Sequence, residues 1–256
     1  MLFDTHIHTR YSSDSDMAAE TAVRRAAELG LGIVITEHMD LAIPEPEAFI
    51  FDASRYFEDY SKFRSDKVLL GIEAGMRIDC LEDYRKIIGN HPFDYVIGSI
   101  HFVDNIDIYQ ESFYLSRTKR EAYGKYFETM LTCLENYDFI DSLGHIDYIS
   151  RYARYPDPAV HYHEFSDWLD KILKVLAEKD KAMEINTRGL TGPDAVKLLL
   201  PIYKRFYELG GRMVTIGSDA HCPEHIGRGL DLALAMAEAL NLKVVYFKQR
   251  KPEWGR

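Results

Sequence analysis

A chain of 256 residues, 46% hydrophobic and 28% charged, can bury one large core, and a net charge of −10 without a Lys/Arg stripe argues against extended nucleic-acid binding. No apolar run approaches membrane-spanning length, and no basic segment precedes an apolar one at the start of the chain. Three scattered cysteines (Cys80, Cys133, Cys222) without CxxC spacing argue against a disulfide framework, so the expectation is one domain over 1–256, cytoplasmic, with no membrane partner.

Apolar patterning predicts strands over 2–8, 32–38, 68–76, 94–101, 139–146, 181–187 and 212–218. Amphipathic helices are expected over 18–30, 54–64, 80–89, 116–136, 161–179, 193–210 and 228–241; Leu169, Ile172, Leu173 and Leu176, for example, repeat at helical spacing. Seven strand-helix units in series predict an α/β fold, with a parallel sheet and right-handed crossovers. At this length, closure into a TIM-like barrel is the expectation.

The strand ends carry the chemistry. Strand one ends Asp4-Thr5-His6-Ile7-His8-Thr9, and its loop adds Asp14 and Asp16. Later strands end at Glu37-His38, at Glu73 between small residues, at His101, at Gly144-His145, and at Glu184-Ile185-Asn186-Thr187-Arg188. The last delivers Gly217-Ser218-Asp219-Ala220-His221, where Asp219 and His221 share a side of an extended backbone. A lone HxH or DxH reads as polar residues on a strand edge. Six of the ten histidines at C-terminal strand ends, with Asp14, Glu73 and Asp219, read instead as ligands of divalent metal, on the face where parallel barrels build active sites. A carboxylate such as Glu73, after Val68-Leu69-Leu70, is costly to bury unless paired or metal-bound. Imidazole and carboxylate without thiolate suit Zn, Mn or Fe. His91, in a turn before Pro92, and His161 and His163, at a helix start, need no such role.

On Asp4-Thr5-His6-Ile7-His8-Thr9, Thr36-Glu37-His38, Gly71-Ile72-Glu73, Gly98-Ser99-Ile100-His101, Gly144-His145 and Gly217-Ser218-Asp219-Ala220-His221, the chain resembles the polymerase-and-histidinol-phosphatase (PHP) family. Within it, the stand-alone histidinol-phosphatases are the most similar members, and the match runs from residue 4 to about 227. The resemblance implies a distorted (β/α)7 barrel with a three-metal cluster. By matching motif, His6, His8, Glu73 and Asp219 would hold one ion; a bridging Glu73, His101 and His145 a second; and Asp14, His38 and His221 a third. Asp16 competes with Asp14 for that last place.

The chemistry implied is hydrolysis of a small-molecule phosphate ester, L-histidinol phosphate, through hydroxide made available at neutral pH by closely spaced cations. Asp219 is the first candidate for the proton shuttle, with His221 or His225 as alternatives. Arg188, just after strand six, could pair with phosphate oxygens, followed by Arg151 and Arg154 after strand five; His225 could touch substrate. Asn186 could position substrate, and Glu184 is expected to point into the barrel as a partner of the ligands. Competing readings are a PHP phosphoesterase for nucleotide or sugar phosphates, a non-catalytic metal-binding protein, and an amidohydrolase. The last is disfavoured because no lysine stands at a predicted strand end. Protein partners are left open.

Overall fold

The computed structural model describes residues 1–44 and 48–254. Its central sheet has eight parallel strands in sequence order: β1 (Phe3–Ile7), β2 (Gly32–Met39), β3 (Val68–Gly75), β4 (Tyr95–Ser99), β5 (Ser142–Leu143), β6 (Ala182–Asn186), β7 (Met213–Gly217) and β8 (Lys243–Val244). The crossovers carry α1 (Ala19–Leu29), α2 (Ala53–Tyr60), α3 (Leu81–Asn90), α4 (Lys119–Asn136), α5 (Tyr162–Glu178), α6 (Pro193–Glu208) and α7 (Leu230–Ala239). All seven expected strands and helices are present. The short β8 is an addition to them.

β8 explains the distortion. It pairs with the start of β7, Lys243 opposite Met213, and so extends the sheet as an edge strand beyond β7 at its N-terminal end. At the opposite end, Asp219 N–H donates to His6 O and His8 N–H to Ala220 O, each at 2.8 Å. Thr5 Oγ1 donates to Ile216 O at 2.9 Å. The sheet therefore curls until its rim closes directly at the rim that carries the histidines. Two apolar layers hold this shape. Phe3, Val34, Leu69, Tyr95 and Phe247 fill the inside, where Phe3 stacks on Tyr246 at 3.9 Å, and a larger core lies between strands and helices.

Some boundaries move for local reasons. The strand expected over 139–146 shrinks to Ser142–Leu143; just before it, Asp141 adds side-chain bonds to its backbone pairing, its carboxylate accepting the Val96 N–H at 2.8 Å and the Arg250 Nε–H at 2.6 Å. α4 starts at Lys119 because Thr118 and Glu121 form a reciprocal capping box ahead of it. Among the described residues, no helix is long and apolar enough to cross a membrane.

Candidate metal centre

Parallel pairing of β2 and β3 sets His38 directly beside Glu73, and the rim places the other histidines around the same carboxylate. His38 Nδ1 lies 2.8 Å from Glu73 Oε2, with His6 Nε2 at 3.3 Å and His8 Nε2 at 3.6 Å. On Oε1, His145 Nε2 lies at 2.8 Å and His101 Nε2 at 3.3 Å, and Ser99 Oγ donates at 2.7 Å. Burial alone would raise the Glu73 pKa; His6, His38 and His101 pull it well below the carboxylate range instead.

A second ring of acceptors turns the imidazoles inward. Glu184 Oε1 takes His6 Nδ1 at 2.6 Å, and Asp40 Oδ1 takes His101 Nδ1 at 2.9 Å. Gly217 makes the first contact possible: a Cβ there would sit 2.3 Å from His6 Cβ and 2.5 Å from Glu184 Oε1. Beyond Gly217 the backbone turns sharply, with Asp219 at φ 55. Its carboxylate faces His8 Nε2 at 3.7 Å, Arg151 Nη1 at 2.7 Å and Arg188 Nη1 at 3.2 Å. Burial opposes ionisation of Asp219, but Arg151, His6 and His8 hold its pKa well below the usual range. Asp14 completes the rim, 3.0 Å from His221 Nε2 and 3.7 Å from His38 Nε2.

These groups fit divalent cations. His6 Nε2, His8 Nε2, His38 Nδ1, His221 Nε2 and Glu73 Oε2 are buried and make no aligned hydrogen bond, although His38 Nδ1 stands only 2.8 Å from Glu73 and His221 Nε2 3.0 Å from Asp14. So many unsatisfied polar atoms on one rim would be destabilising by about 1–3 kcal/mol each unless something else satisfies them. In each of the trios His8–His38–His221, His6–His8–Glu73 and Glu73–His101–His145, the candidate ligand atoms lie within 4.8 Å of one another. The donor set, nitrogen and oxygen without sulfur, is that of Zn, Mn or Fe.

The profile of the PHP domain matches residues 4–188, well over half of the chain. The chain belongs to the PHP family. A probable histidinol-phosphatase of Clostridium acetobutylicum is 49% identical over 98% of both chains. The histidinol-phosphatase of Lactococcus lactis is 33% identical over 85% of this chain and 83% of that protein. A crystal structure of the Lactococcus lactis histidinol phosphate phosphatase, complexed with zinc, L-histidinol and phosphate, superposes with a TM-score of 0.93. It is 30% identical in sequence and covers 98% of both chains.

Beside the PHP cluster lies a cavity of about 460 Å³, lined in part by Asp14, His38 and His101. An aromatic ladder forms part of its wall: Tyr148 stacks on His145 at 4.5 Å, Tyr152 follows at 5.3 Å, and Tyr109 at 5.0 Å. Such a space suits a small ring-bearing molecule.

All nine residues expected to bind metal converge on this rim, and Asp14 rather than Asp16 faces the histidines. Two expected substrate contacts are not brought there. Arg154 is exposed and donates to Tyr152 O at 2.8 Å, because the 3-10 turn Tyr148–Arg151 directs Arg151 inward and leaves Arg154 on the outside. His225 is exposed in the turn Pro223–His225. Sequence reasoning missed Asp40, Ser12 and Tyr148. Asp40 had a legible signal: it stands two residues past His38, on the same face by strand alternation, and forms a further trio with His38 and His101. Ser12 and Tyr148 had none.

Proposed function

We propose that this chain is a single-domain, cytoplasmic, metal-dependent phosphomonoesterase that hydrolyses L-histidinol phosphate to L-histidinol and phosphate. The carrying observation is the near-complete superposition on the Lactococcus lactis phosphatase bound to zinc, L-histidinol and phosphate, together with a rim of buried, unpartnered imidazole nitrogens in this chain.

His6, His8, Glu73 and Asp219 would hold one cation, Glu73, His101 and His145 a second, and Asp14, His38 and His221 a third. Bound there, divalent ions supply Lewis acidity toward phosphoryl oxygens and acidify water for attack on phosphorus. The protein does the rest. Arg151 and Arg188, already aimed at the Asp219 carboxylate, can turn their N–H groups to phosphate oxygens. As Arg151 and Arg188 turn to the phosphate, Asp219 loses the charges that hold its pKa down and can accept the proton that water sheds as its oxygen bonds to phosphorus. It returns that proton to the leaving alkoxide as the ester P–O bond breaks. The cavity beside Tyr148 and Tyr152 receives the imidazole-bearing alcohol.

The test is phosphate release from L-histidinol phosphate beside a panel of nucleotide and sugar phosphates, with metal content measured on the same sample. Turnover of nucleotides without turnover of histidinol phosphate would overturn the substrate assignment.

A further inference from the structure

His8 has no carboxylate on its outer nitrogen, unlike His6 and His101. The hydroxyl of Ser12, itself buried, occupies that place. Ser12 Oγ has three neighbours: Glu37 Oε2 at 2.6 Å, the His38 backbone N–H at 3.0 Å, and His8 Nδ1 at 3.0 Å. A hydroxyl owns one proton and two acceptor positions, so the three contacts determine one another. Glu37 Oε2 also accepts the Thr9 N–H at 2.9 Å, which marks it as an acceptor, and Ser12 must donate to it. The His38 N–H can only donate, so it takes one Ser12 lone pair. The other is left for His8 Nδ1, which must therefore carry the hydrogen. His8 Nε2 then presents its lone pair to the rim, where it is buried and unpartnered.

We infer that Ser12, held by Glu37, is a positioning residue that fixes His8 in the Nδ1–H tautomer and so makes its Nε2 available as a ligand. Because the same oxygen holds the His38 backbone, it also ties together ligands from two of the three proposed cation sites. The inference rests on the metal-centre reading and adds the device that sets it up. Glutamine at position 37 can do the same work. Its carbonyl oxygen replaces Oε2, keeping the Ser12 and Thr9 N–H bonds, and its amide turns to Thr9 Oγ1, which still reaches Tyr60 Oη at 2.7 Å. Charge is dispensable here, and an acceptor at this point is not.

The experiment is competition between the full-length protein and a zinc chelator, read as the affinity for Zn²⁺, for wild type, Ser12→Ala, Glu37→Leu and Glu37→Gln. Ser12→Ala and Glu37→Leu should each weaken Zn²⁺ retention by about 10–100-fold, while Glu37→Gln stays close to wild type. Wild-type affinity in Ser12→Ala, or equal losses in Glu37→Gln and Glu37→Leu, overturns the inference. Should the damaging variants not fold, long-range ¹H–¹⁵N spectra of histidine-labelled wild type report the tautomer directly. An Nδ1–H signal for His8 supports the inference, and an Nε2–H tautomer sinks it. A wild type that retains no Zn²⁺ defeats the metal-centre reading itself, a result distinct from either outcome above.

Discussion

Arg151 Nη1 lies 2.7 Å from Asp219 Oδ2, and its other terminal nitrogen donates to Asn186 Oδ1 at the same distance. Arg188 approaches the opposite oxygen of Asp219, but at 3.2 Å and with its side chain 46% exposed against 15% for Arg151. The sequence reading ranked Arg188 first; on burial and distance we propose the reverse order. Charge-assisted bonds contribute about 1.5–3 kcal/mol when desolvated and little when exposed. Arg151→Ala should therefore lower kcat/KM by about a hundredfold and Arg188→Ala by about tenfold or less. Steady-state kinetics on histidinol phosphate decide, and a larger loss in Arg188→Ala would restore the original ranking.

Glu184 holds the rim from behind. Beyond its contact with His6, its Oε2 accepts the His145 N–H at 2.8 Å and an Asn186 Nδ2–H at 3.2 Å. Glu184→Ala leaves the His145 backbone N–H and His6 Nδ1 without partners, a loss of about 3–5 kcal/mol for a broken buried charged pair. For a chain of this size that is about 10 °C in melting temperature. Glu184→Gln keeps one acceptor oxygen and should lose about half as much. Thermal unfolding of the metal-free variants measures both; a melt unchanged in Glu184→Ala would show that Glu184 does not brace the rim.

What was legible in the sequence follows from periodicity. Strand alternation brought His6 and His8 to one side, and seven strand-helix units carried the ligands to one rim; Asp219 and His221 reach it not on the extended backbone expected but through a turn past Gly217, with Asp219 at φ 55. Contacts set by tertiary geometry were not legible. Tyr148 stacks on His145 only because a 3-10 turn follows the truncated β5. Ser12 reaches Glu37 only because the first loop folds back over β2. β8 was hidden by its brevity: two residues, one of them a lysine, carry no period. Arg154 and Arg151 stand three apart on an irregular turn, where spacing does not say which one faces in.

Removal of metal should destabilise the protein as well as silence it. An ion at 1,000 times its dissociation constant stabilises the folded state by about 4 kcal/mol, so stripping even one such ion should lower the melting temperature by about 8–16 °C. Scanning calorimetry before and after dialysis against a chelator measures the drop, and re-addition of Zn²⁺ or Mn²⁺ should restore both melt and turnover. A chelated protein that melts within a degree of the untreated one, with metal shown to be absent, would leave the rim without a structural role for cations.

The size of that drop should depend on pH, in a direction set by His38. Burial pushes its pKa down, but Glu73 and Asp14 outweigh burial and raise it to about 10 in the metal-free protein. A histidine with a raised folded-state pKa contributes stability that is fully present below its unfolded value of about 6.5. That contribution fades as pH rises toward 10. His6 and His101 shift the same way: burial lowers each, and Glu184 with Glu73, or Asp40 with Glu73, raises it further. His8 and His145, held neutral mainly by burial, have no proton to give up. Cations replace the protons on the first group, so metal-free stability should fall from pH 6.5 toward 9 while the loaded form loses less. The melting-temperature gap between Zn²⁺-loaded and chelated protein should widen across that window, and a constant or narrowing gap would show that these imidazoles do not share their protons with Glu73.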